Sequence, residues 1–448
     1  MAMIQKNLFS WQELEILGDL ERLKLVLETL DDEKLMRKLE KERGKGRDDN
    51  PVRAMWNSVL AGVIYQHESV ASLIRELKRN GDLLMICGFD VTKGEKAVPL
   101  ESAYSRFLKK LMKHQEELDV MMNSLIEDLT ELLPGFGRRL AIDSKAINSH
   151  AKKNPKKAKE DGRRDTDADY GKKTYKGKQE DGTLWKTVKS WFGYKLHIVV
   201  DADYELPIAY KVTRASESDM NQLLPMIAEL KENQPSVIER AEMLTADKGY
   251  DSCDNNKKLW DEHKIKPLID ITNKWRDGEE TKQINEDKAD SIIYDYQGNV
   301  YCMNPKTGDK RKLSYYGFEK DRGCLKYRCK LSACGVKCKA EKTCRGGSTG
   351  KYGRIIRIPL EKDRRVFTPI ARSSYAFKRE YKKRTAVERV NSRLDVSFGF
   401  EKHYIRGMKK MKLRCGLAMI VMLSMALGRA RQNQYEYMRS LVKTPKAA

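Results

Sequence analysis

Two short apolar segments, each predicted to be a strand that ends in an aspartate, constrain the fold most. "RRLAIDSKAI" predicts a strand ending at Asp143, and "AEMLTADKGYD" predicts a strand ending at Asp247. Between them lie a predicted β-hairpin, "WFGYKLHIVVDADYELPIAYKVT", and a predicted helix, "NQLLPMIAELKEN". This pattern predicts an α/β fold, in which functional groups gather at strand ends. The alternative is that both aspartates are ordinary turn or capping residues.

A third carboxylate stands alone in the most basic part of the chain. Residues 371–414 contain 14 Lys and Arg against 4 Asp and Glu, and Glu388 lies in the middle of them. Asp143 and Asp247 would repel each other unless a cation lay between them, and Glu388 on a packed helix would complete an oxygen site. Mg²⁺ favours a few carboxylates together with water and phosphate oxygens. Glu388 could instead be a counter-ion of its basic neighbours.

The overall charge predicts an anionic partner. The chain has 448 residues, with 88 Lys and Arg against 65 Asp and Glu, a formal charge of +23. This excess predicts binding to nucleic acid or to an anionic membrane. The longest apolar run, Cys415–Leu427, is too short to span a bilayer and predicts a buried helix. No secretory signal is recognised, and clustered cysteines fit a reducing compartment, so we expect a cytoplasmic protein.

Four motifs together carry a resemblance to a known family. In order, "AIDSKAI", "WFGYKLHIVVD", "TADKGYD" and "YKKRTAVERVNSRLD" resemble the DDE (Asp-Asp-Glu) transposases of bacterial insertion sequences. The closest likeness is to the branch with the signature Tyr-x2-Arg-x3-Glu-x6-Lys. Tyr381, Arg384 and Glu388 match this signature, whereas Asp395 stands where the pattern expects lysine.

The resemblance implies a fold and a reaction. It implies a ribonuclease H-like catalytic core with an N-terminal all-α domain and a β-rich insertion before the helix that carries the glutamate. Asp143, Asp247 and Glu388 would be catalytic and would bind Mg²⁺, with Mn²⁺ as a substitute. The protein would bind the terminal inverted repeats of its insertion sequence as double-stranded DNA, self-associate on it, and catalyse strand cleavage and strand transfer. The alternatives are an inactive DNA-binding regulator of the same fold and a nuclease that cuts without joining.

On a single helix the signature residues would share one face, since about 100° per residue places positions 381, 384, 388 and 395 within roughly 60°. The predicted DNA contacts are Tyr381, Arg384, Arg389 and Arg393. For Asp395 two outcomes are open. Either it orients a neighbouring cation, most plausibly Arg393, which would take over the DNA contact of the missing lysine, or the enzyme is weakened at that contact; we expect the first.

The expected organisation has five segments. They are an N-terminal helical, DNA-binding domain (1–134), the first part of the catalytic core (135–271), a β-rich, Cys-containing insertion (272–370), the C-terminal helices of the core (371–432) and a tail (433–448). The basic segment 151–190 is predicted to be a mobile loop. Within the insertion, Cys329, Cys334, Cys338 and Cys344 leave two alternatives open, a zinc site or reduced buried thiols.

Overall fold

The structure is a computed structural model, and it describes residues 20–44, 50–151, 165–179, 181, 183–285, 291–303, 308–329 and 354–439. The chain divides into two compact units. The first contains Met1–Phe136, Ser144–Glu217 and Val387–Ala448, and the second contains Gly137–Asp143 and Ser218–Ala386. Each unit is therefore built from separate stretches of the sequence.

Helices and strands alternate after an all-helical start. The helices are α1 (Leu20–Thr29), α2 (Glu33–Arg43), α3 (Val52–Ile64), α4 (Val70–Arg79), α5 (Gly81–Cys87), α6 (Glu101–Leu111), α7 (Gln115–Leu132), α8 (Asp219–Asn233), α9 (Pro235–Arg240), α10 (Cys253–Asp261), α11 (Tyr375–Tyr381), α12 (Thr385–Phe398) and α13 (Met408–Arg431). The strands are β1 (Arg139–Asn148), β2 (Asp169–Lys178), β3 (Leu184–Asp201), β4 (Leu206–Arg214), β5 (Met243–Ala246), β6 (Lys266–Ile269), β7 (Lys282–Gln283), β8 (Ile292–Tyr294), β9 (Val300–Met303), β10 (Lys310–Lys312), β11 (Ser314–Glu319), β12 (Cys324–Arg328) and β13 (Ile355–Pro359). The predicted mixed α/β class is confirmed.

The core of the first unit forms around the apolar helix α13. This helix packs against α1 and α7, and the predicted buried run Cys415–Leu427 lies inside it. Among the described helices, α13 is the one long and apolar enough to cross a membrane, but 89% of its apolar window is buried within the protein. Gly428 permits the close packing, since a Cβ there would lie 2.7 Å from the Leu25 side chain. The prediction of a buried helix is confirmed.

The strands of the first unit correct one prediction. β3 forms antiparallel pairs with both β2 and β4. The basic segment 151–190, predicted to be a loop, therefore contains β2 and the start of β3; residues 152–164 lie outside the described part. Low hydrophobicity suggested a loop, but strand formation here depends on cross-strand partners that the sequence pattern does not display.

The second unit contains three parallel strands. β5 pairs with β1 and with β6, so that Ile142 lies opposite Ala246, and Ala246 lies opposite Ile269. The predicted strand end at Asp143 is wrong, because β1 continues to Asn148. The error arises because the apolar run ends at Asp143, whereas the strand continues beyond it.

Within its described residues, the segment between β6 and α11 forms two small antiparallel sheets, ordered β10-β9-β8-β7 and β11-β12-β13. Its aromatic rings pack into one core: Trp275 meets Tyr294 edge-on at 5.7 Å, and Tyr294 lies 5.0 Å from Phe367 between ring centroids. The predicted β-rich character is confirmed, and these aromatic side chains serve packing.

A close backbone approach generates a prediction for the fold. Gly193 on β3 faces β1, and a Cβ there would lie 2.2 Å from the carbonyl oxygen of Ile147. Backbone atoms cannot move aside cheaply, so Gly193→Ala is expected to reduce the free energy of unfolding by about 2 kcal/mol. The measurement is urea denaturation followed by circular dichroism. Gly81→Ala is the control, because no atom lies within 4 Å of a Cβ at Gly81, and an equal loss in both variants would contradict the prediction.

Candidate active site

The parallel register brings acidic residues to one level of the sheet. Three residues face one another across β1, β5 and β6: Ile142, Ala246 and Ile269. Each is followed directly by an aspartate, which is Asp143, Asp247 or Asp270. Neighbouring strands lie about 4.8 Å apart, and residues in register point to the same face. The structure therefore brings Asp143 and Asp247 side by side, as the sequence predicts, and adds Asp270, which the sequence analysis missed.

Asp247 is held by the turn that follows β5. Its Oδ1 accepts a hydrogen bond of 2.7 Å from the backbone N–H of Gly249. A Cβ at Gly249 would lie 2.8 Å from that oxygen, so the turn requires a glycine to come this close. The side chain remains partly exposed, which leaves its second oxygen able to bind a ligand.

A cation from the signature segment lies next to Asp143. The Arg384 Nη1 is 3.8 Å from the Asp143 Oδ2, and both side chains are largely buried. Arg384 ends a short 3₁₀ turn, Lys382–Arg384, which separates α11 from α12. The prediction that residues 381–395 form one regular helix is therefore wrong. The tighter turn changes the angular spacing between residues 381 and 388.

Tyr381 anchors this turn. Its ring stacks on Phe377 at 5.7 Å with an interplanar angle of 11°, and the Arg384 guanidinium lies 6.0 Å from its centroid. Burial, reinforced by the nearby charge of Asp270, raises the pKa of Tyr381 to about 12. The phenol therefore stays protonated at neutral pH and can donate a hydrogen bond to an anion.

Two contacts fix α11 to the parallel strands. Phe377 packs with Met243 of β5 and Leu268 of β6. The buried Glu380 forms an ion pair with Arg139 at the start of β1, with 3.5 Å between Oε2 and Nε. The position of Arg384 beside Asp143 is thus set by packing and charge together.

Glu388 lies in the first turn of α12 and is exposed. It belongs to the first unit, and its role as a third carboxylate stays a prediction. Arg389 pairs with Glu205, at 2.7 Å between Nε and Oε1. Arg393 donates to the backbone carbonyl of Glu205, and burial lowers the pKa of Arg393 to about 10. Their DNA contacts stay predictions.

Asp395 has a partner that the sequence did not indicate. Its carboxylate forms an ion pair with Lys145 on β1. The side chain of Asp395 is 27% exposed and that of Lys145 is 12% exposed. The expectation that Asp395 orients Arg393 is therefore wrong, because the cation that it holds is Lys145. The pair joins residues 250 positions apart, which is why a local pattern could not reveal it.

Oxygen donors dominate the site. Among the described residues, no group of three or more His, Cys, Asp or Glu side chains is gathered to hold a metal ion. Two neighbouring carboxylates on adjacent strands nevertheless fit Mg²⁺, which keeps several waters and uses phosphate oxygens as further ligands. Of the four candidate zinc ligands, Cys329 is buried, whereas Cys334, Cys338 and Cys344 lie outside the described residues.

Three residues were missed by the sequence analysis. They are Asp270, Lys145 and Arg372, whose buried guanidinium donates to the carbonyl of Ile269 at the end of β6. Asp270 carried a signal, since it follows an apolar segment in the same way as Asp247. Lys145 and Arg372 carried none, because their partners are distant in sequence.

The Lys145–Asp395 pair generates a charge-exchange prediction. Lys145→Asp places two carboxylates together and Asp395→Lys places two ammonium groups together, so each single change should lower stability by about 2 kcal/mol. The double variant Lys145→Asp/Asp395→Lys restores an attractive pair and should recover most of that loss. Thermal unfolding of all four proteins measures the coupling. Strictly additive losses would show that the two side chains do not interact.

Comparison with known proteins identifies the family of this chain. No curated protein matches the chain. A solved structure described as a piggyBac transposase synaptic complex with hairpin DNA is similar at 11% identity, covering 96% of this chain and 83% of that chain. The TM-score between the two structures is 0.37. The family model described as the transposase DDE domain matches residues 134–424, nearly two thirds of the sequence, and the chain therefore belongs to the DDE transposase family.

Proposed function

We propose that this protein is a DNA transposase that binds the terminal inverted repeats of its own insertion sequence and catalyses metal-dependent strand cleavage and strand transfer. The observation that carries the proposal is the arrangement of Asp143 and Asp247 at one level of adjacent parallel strands, with Arg384 beside Asp143. Membership of the DDE transposase family supports the same reaction class.

Three carboxylates would hold the divalent ions, those of Asp143, Asp247 and Glu388. The ions would be Mg²⁺, with Mn²⁺ as a substitute. When bound, such ions would lower the pKa of a water or of a DNA 3′-hydroxyl and would offset the charge that develops on the leaving oxygen. Before metal binds, Arg384 offsets the negative charge of Asp143. With DNA present, the same guanidinium can donate two hydrogen bonds to a phosphate, and the Tyr381 phenol can donate one.

The finer assignments are proposals of the same kind. We propose that the mixed sheet containing β1 is the ribonuclease H-like core, that segment 1–134 contributes to DNA binding, and that the protein self-associates on DNA in the cytoplasm. The formal charge of +23 supports a polyanionic partner. Arg389 and Arg393 remain candidate DNA contacts, and Cys329, Cys334, Cys338 and Cys344 remain a candidate zinc site.

The pair between Lys145 and Asp395 bears on the inactive-regulator alternative. An aspartate at the position of an expected lysine suggested a weakened DNA contact. Lys145 of β1 pairs with Asp395 and neutralises its charge. The carboxylate therefore repels a phosphate less than an unpaired one would, which supports an active enzyme over an inactive regulator.

The first test separates catalysis from binding. Asp247→Asn keeps an Oδ1 acceptor for the Gly249 N–H but removes the charge, and Glu388→Gln alters an exposed side chain. Both variants should bind DNA within about twofold of wild type and lose at least about 10³-fold in cleavage of a terminal-repeat duplex in Mg²⁺. Glu401→Gln, another exposed carboxylate, is the control and should cleave normally. Cleavage by Asp247→Asn at the wild-type rate would reject the assignment.

The second test concerns the cation beside Asp143. Arg384→Ala should weaken DNA binding and reduce the dependence of log K on log salt by about one, since one phosphate contact contributes roughly 0.9 to that slope. Fluorescence anisotropy over a series of KCl concentrations measures both quantities. Arg384→Lys should recover the slope but not the bidentate contact. An unchanged slope in Arg384→Ala would show that this guanidinium does not reach the DNA.

A further inference from the structure

An exposed ribbon of two strands is the most distinctive surface of the first unit. It comprises residues 169–178 of β2 and 184–193 of β3, which pair antiparallel along their whole length, and it is called the basic ribbon here. All side chains from Leu184 to Ser190 are exposed. At about 3.4 Å per residue, the ribbon is roughly 30 Å long. Its function is not explained by packing within the protein.

The ribbon carries mostly positive charge. It contains six lysines and one acidic residue, Asp169, at its inner end. Lys173 lies directly opposite Lys189 in the register, and both side chains are exposed. Like charges in directly opposed positions destabilise a strand pair. This cost is offset when a polyanion lies across the ribbon.

Two tryptophans give the ribbon its shape. Trp191 pairs with Gly171, and Trp185 pairs with Gly177. Each indole lies over its glycine so closely that a Cβ would come within 2.3 Å of Trp191 or 2.4 Å of Trp185. Aromatic side chains that cover a glycine on the opposite strand stabilise the pairing. The exposed side chains of Lys172, Lys173, Lys186 and Lys189 therefore lie on paired strands.

We propose that the basic ribbon enters the major groove of double-stranded DNA. The inference rests on the proposed function for the DNA partner and assigns a DNA-binding surface outside the signature segment. The major groove is about 12 Å wide and admits a two-stranded β-ribbon. The lysines contact phosphates on both sides of the groove, and the apolar side chains at the outer end of β3 contact thymine methyl groups and base edges.

A protective role for the lysines fits the surface less well. Lysines on an edge strand prevent strand-to-strand aggregation. Protection would not place apolar side chains beside them, yet Leu184 is 80% exposed and Val188 is 51% exposed. Cations interleaved with exposed apolar groups match a surface that is covered by DNA.

The main test removes four lysines from the full-length protein. Lys172, Lys173, Lys186 and Lys189 are changed to Gln in one variant, and the control changes four exposed lysines of the second unit, Lys231, Lys257, Lys312 and Lys320. Both variants lose the same net charge. For a terminal-repeat duplex, the ribbon variant should reduce the slope of log K against log salt by about three, whereas the control should change it by less than about one. Equal slopes in the two variants would overturn the proposal.

A second measurement locates the ribbon on DNA. A photo-crosslinking amino acid at Val188 should crosslink to the duplex, and the same group at Ile355, which is 41% exposed in the second unit, should crosslink much less. Methylation of guanine N7 in the major groove should block the Val188 crosslink. Crosslinking that is equal at both positions, or unaffected by N7 methylation, would contradict a major-groove site.

These outcomes remain distinct from those of the catalytic proposal. If wild type cleaves the duplex and the ribbon variant keeps the slope of the control, the ribbon inference fails and the proposed function stands. If wild type neither binds nor cleaves the duplex while the protein is folded, the proposed function fails, and the ribbon inference fails with it.

Discussion

The parallel register of β1, β5 and β6 is the constraint on which the candidate active site depends. The register places Asp143, Asp247 and Asp270 at one level of the sheet, with about 4.8 Å between neighbouring strands. Carboxylates at neighbouring positions repel one another, and a nearby cation offsets this repulsion. Arg384 provides such a cation within the protein, at 3.8 Å from Asp143. Oxygen ligands in this arrangement are of the type that Mg²⁺ prefers.

The position of Arg384 depends on how the preceding helix is attached. Phe377 packs into the cluster formed with β5 and β6, and Glu380 pairs with Arg139 at the start of β1. These contacts end α11 close to the strand ends, and the 3₁₀ turn then directs Arg384 toward the carboxylates. Tyr381 stacks on Phe377 and lies between these contacts and the turn. The same few residues therefore attach α11 to the parallel strands and place Arg384 beside Asp143.

The excess of positive charge is distributed unevenly, and its distribution matters more than its total. Part of it lies in the basic C-terminal segment, where Arg389 and Arg393 also contact Glu205. Another part lies on the basic ribbon, where lysines face one another across two strands. A polyanion that covers these surfaces relieves like-charge repulsion in the free protein. Counter-ion release adds a favourable entropic contribution to such binding.

The sequence by itself determined the buried helix α13, the mixed α/β class and the aspartates that follow the apolar segments before residues 143 and 247, because these depend on local hydrophobic periodicity and on residues that end apolar segments. Tertiary structure alone decided the continuation of β1 past Asp143, the formation of the basic ribbon, the break in the signature helix and the Lys145–Asp395 pair. Each of these depends on partners that are distant in the chain or on backbone pairing without an apolar signature. Asp270 lay between the two cases: its local pattern matched that of Asp247, but only the parallel register showed that it lies at the same level of the sheet.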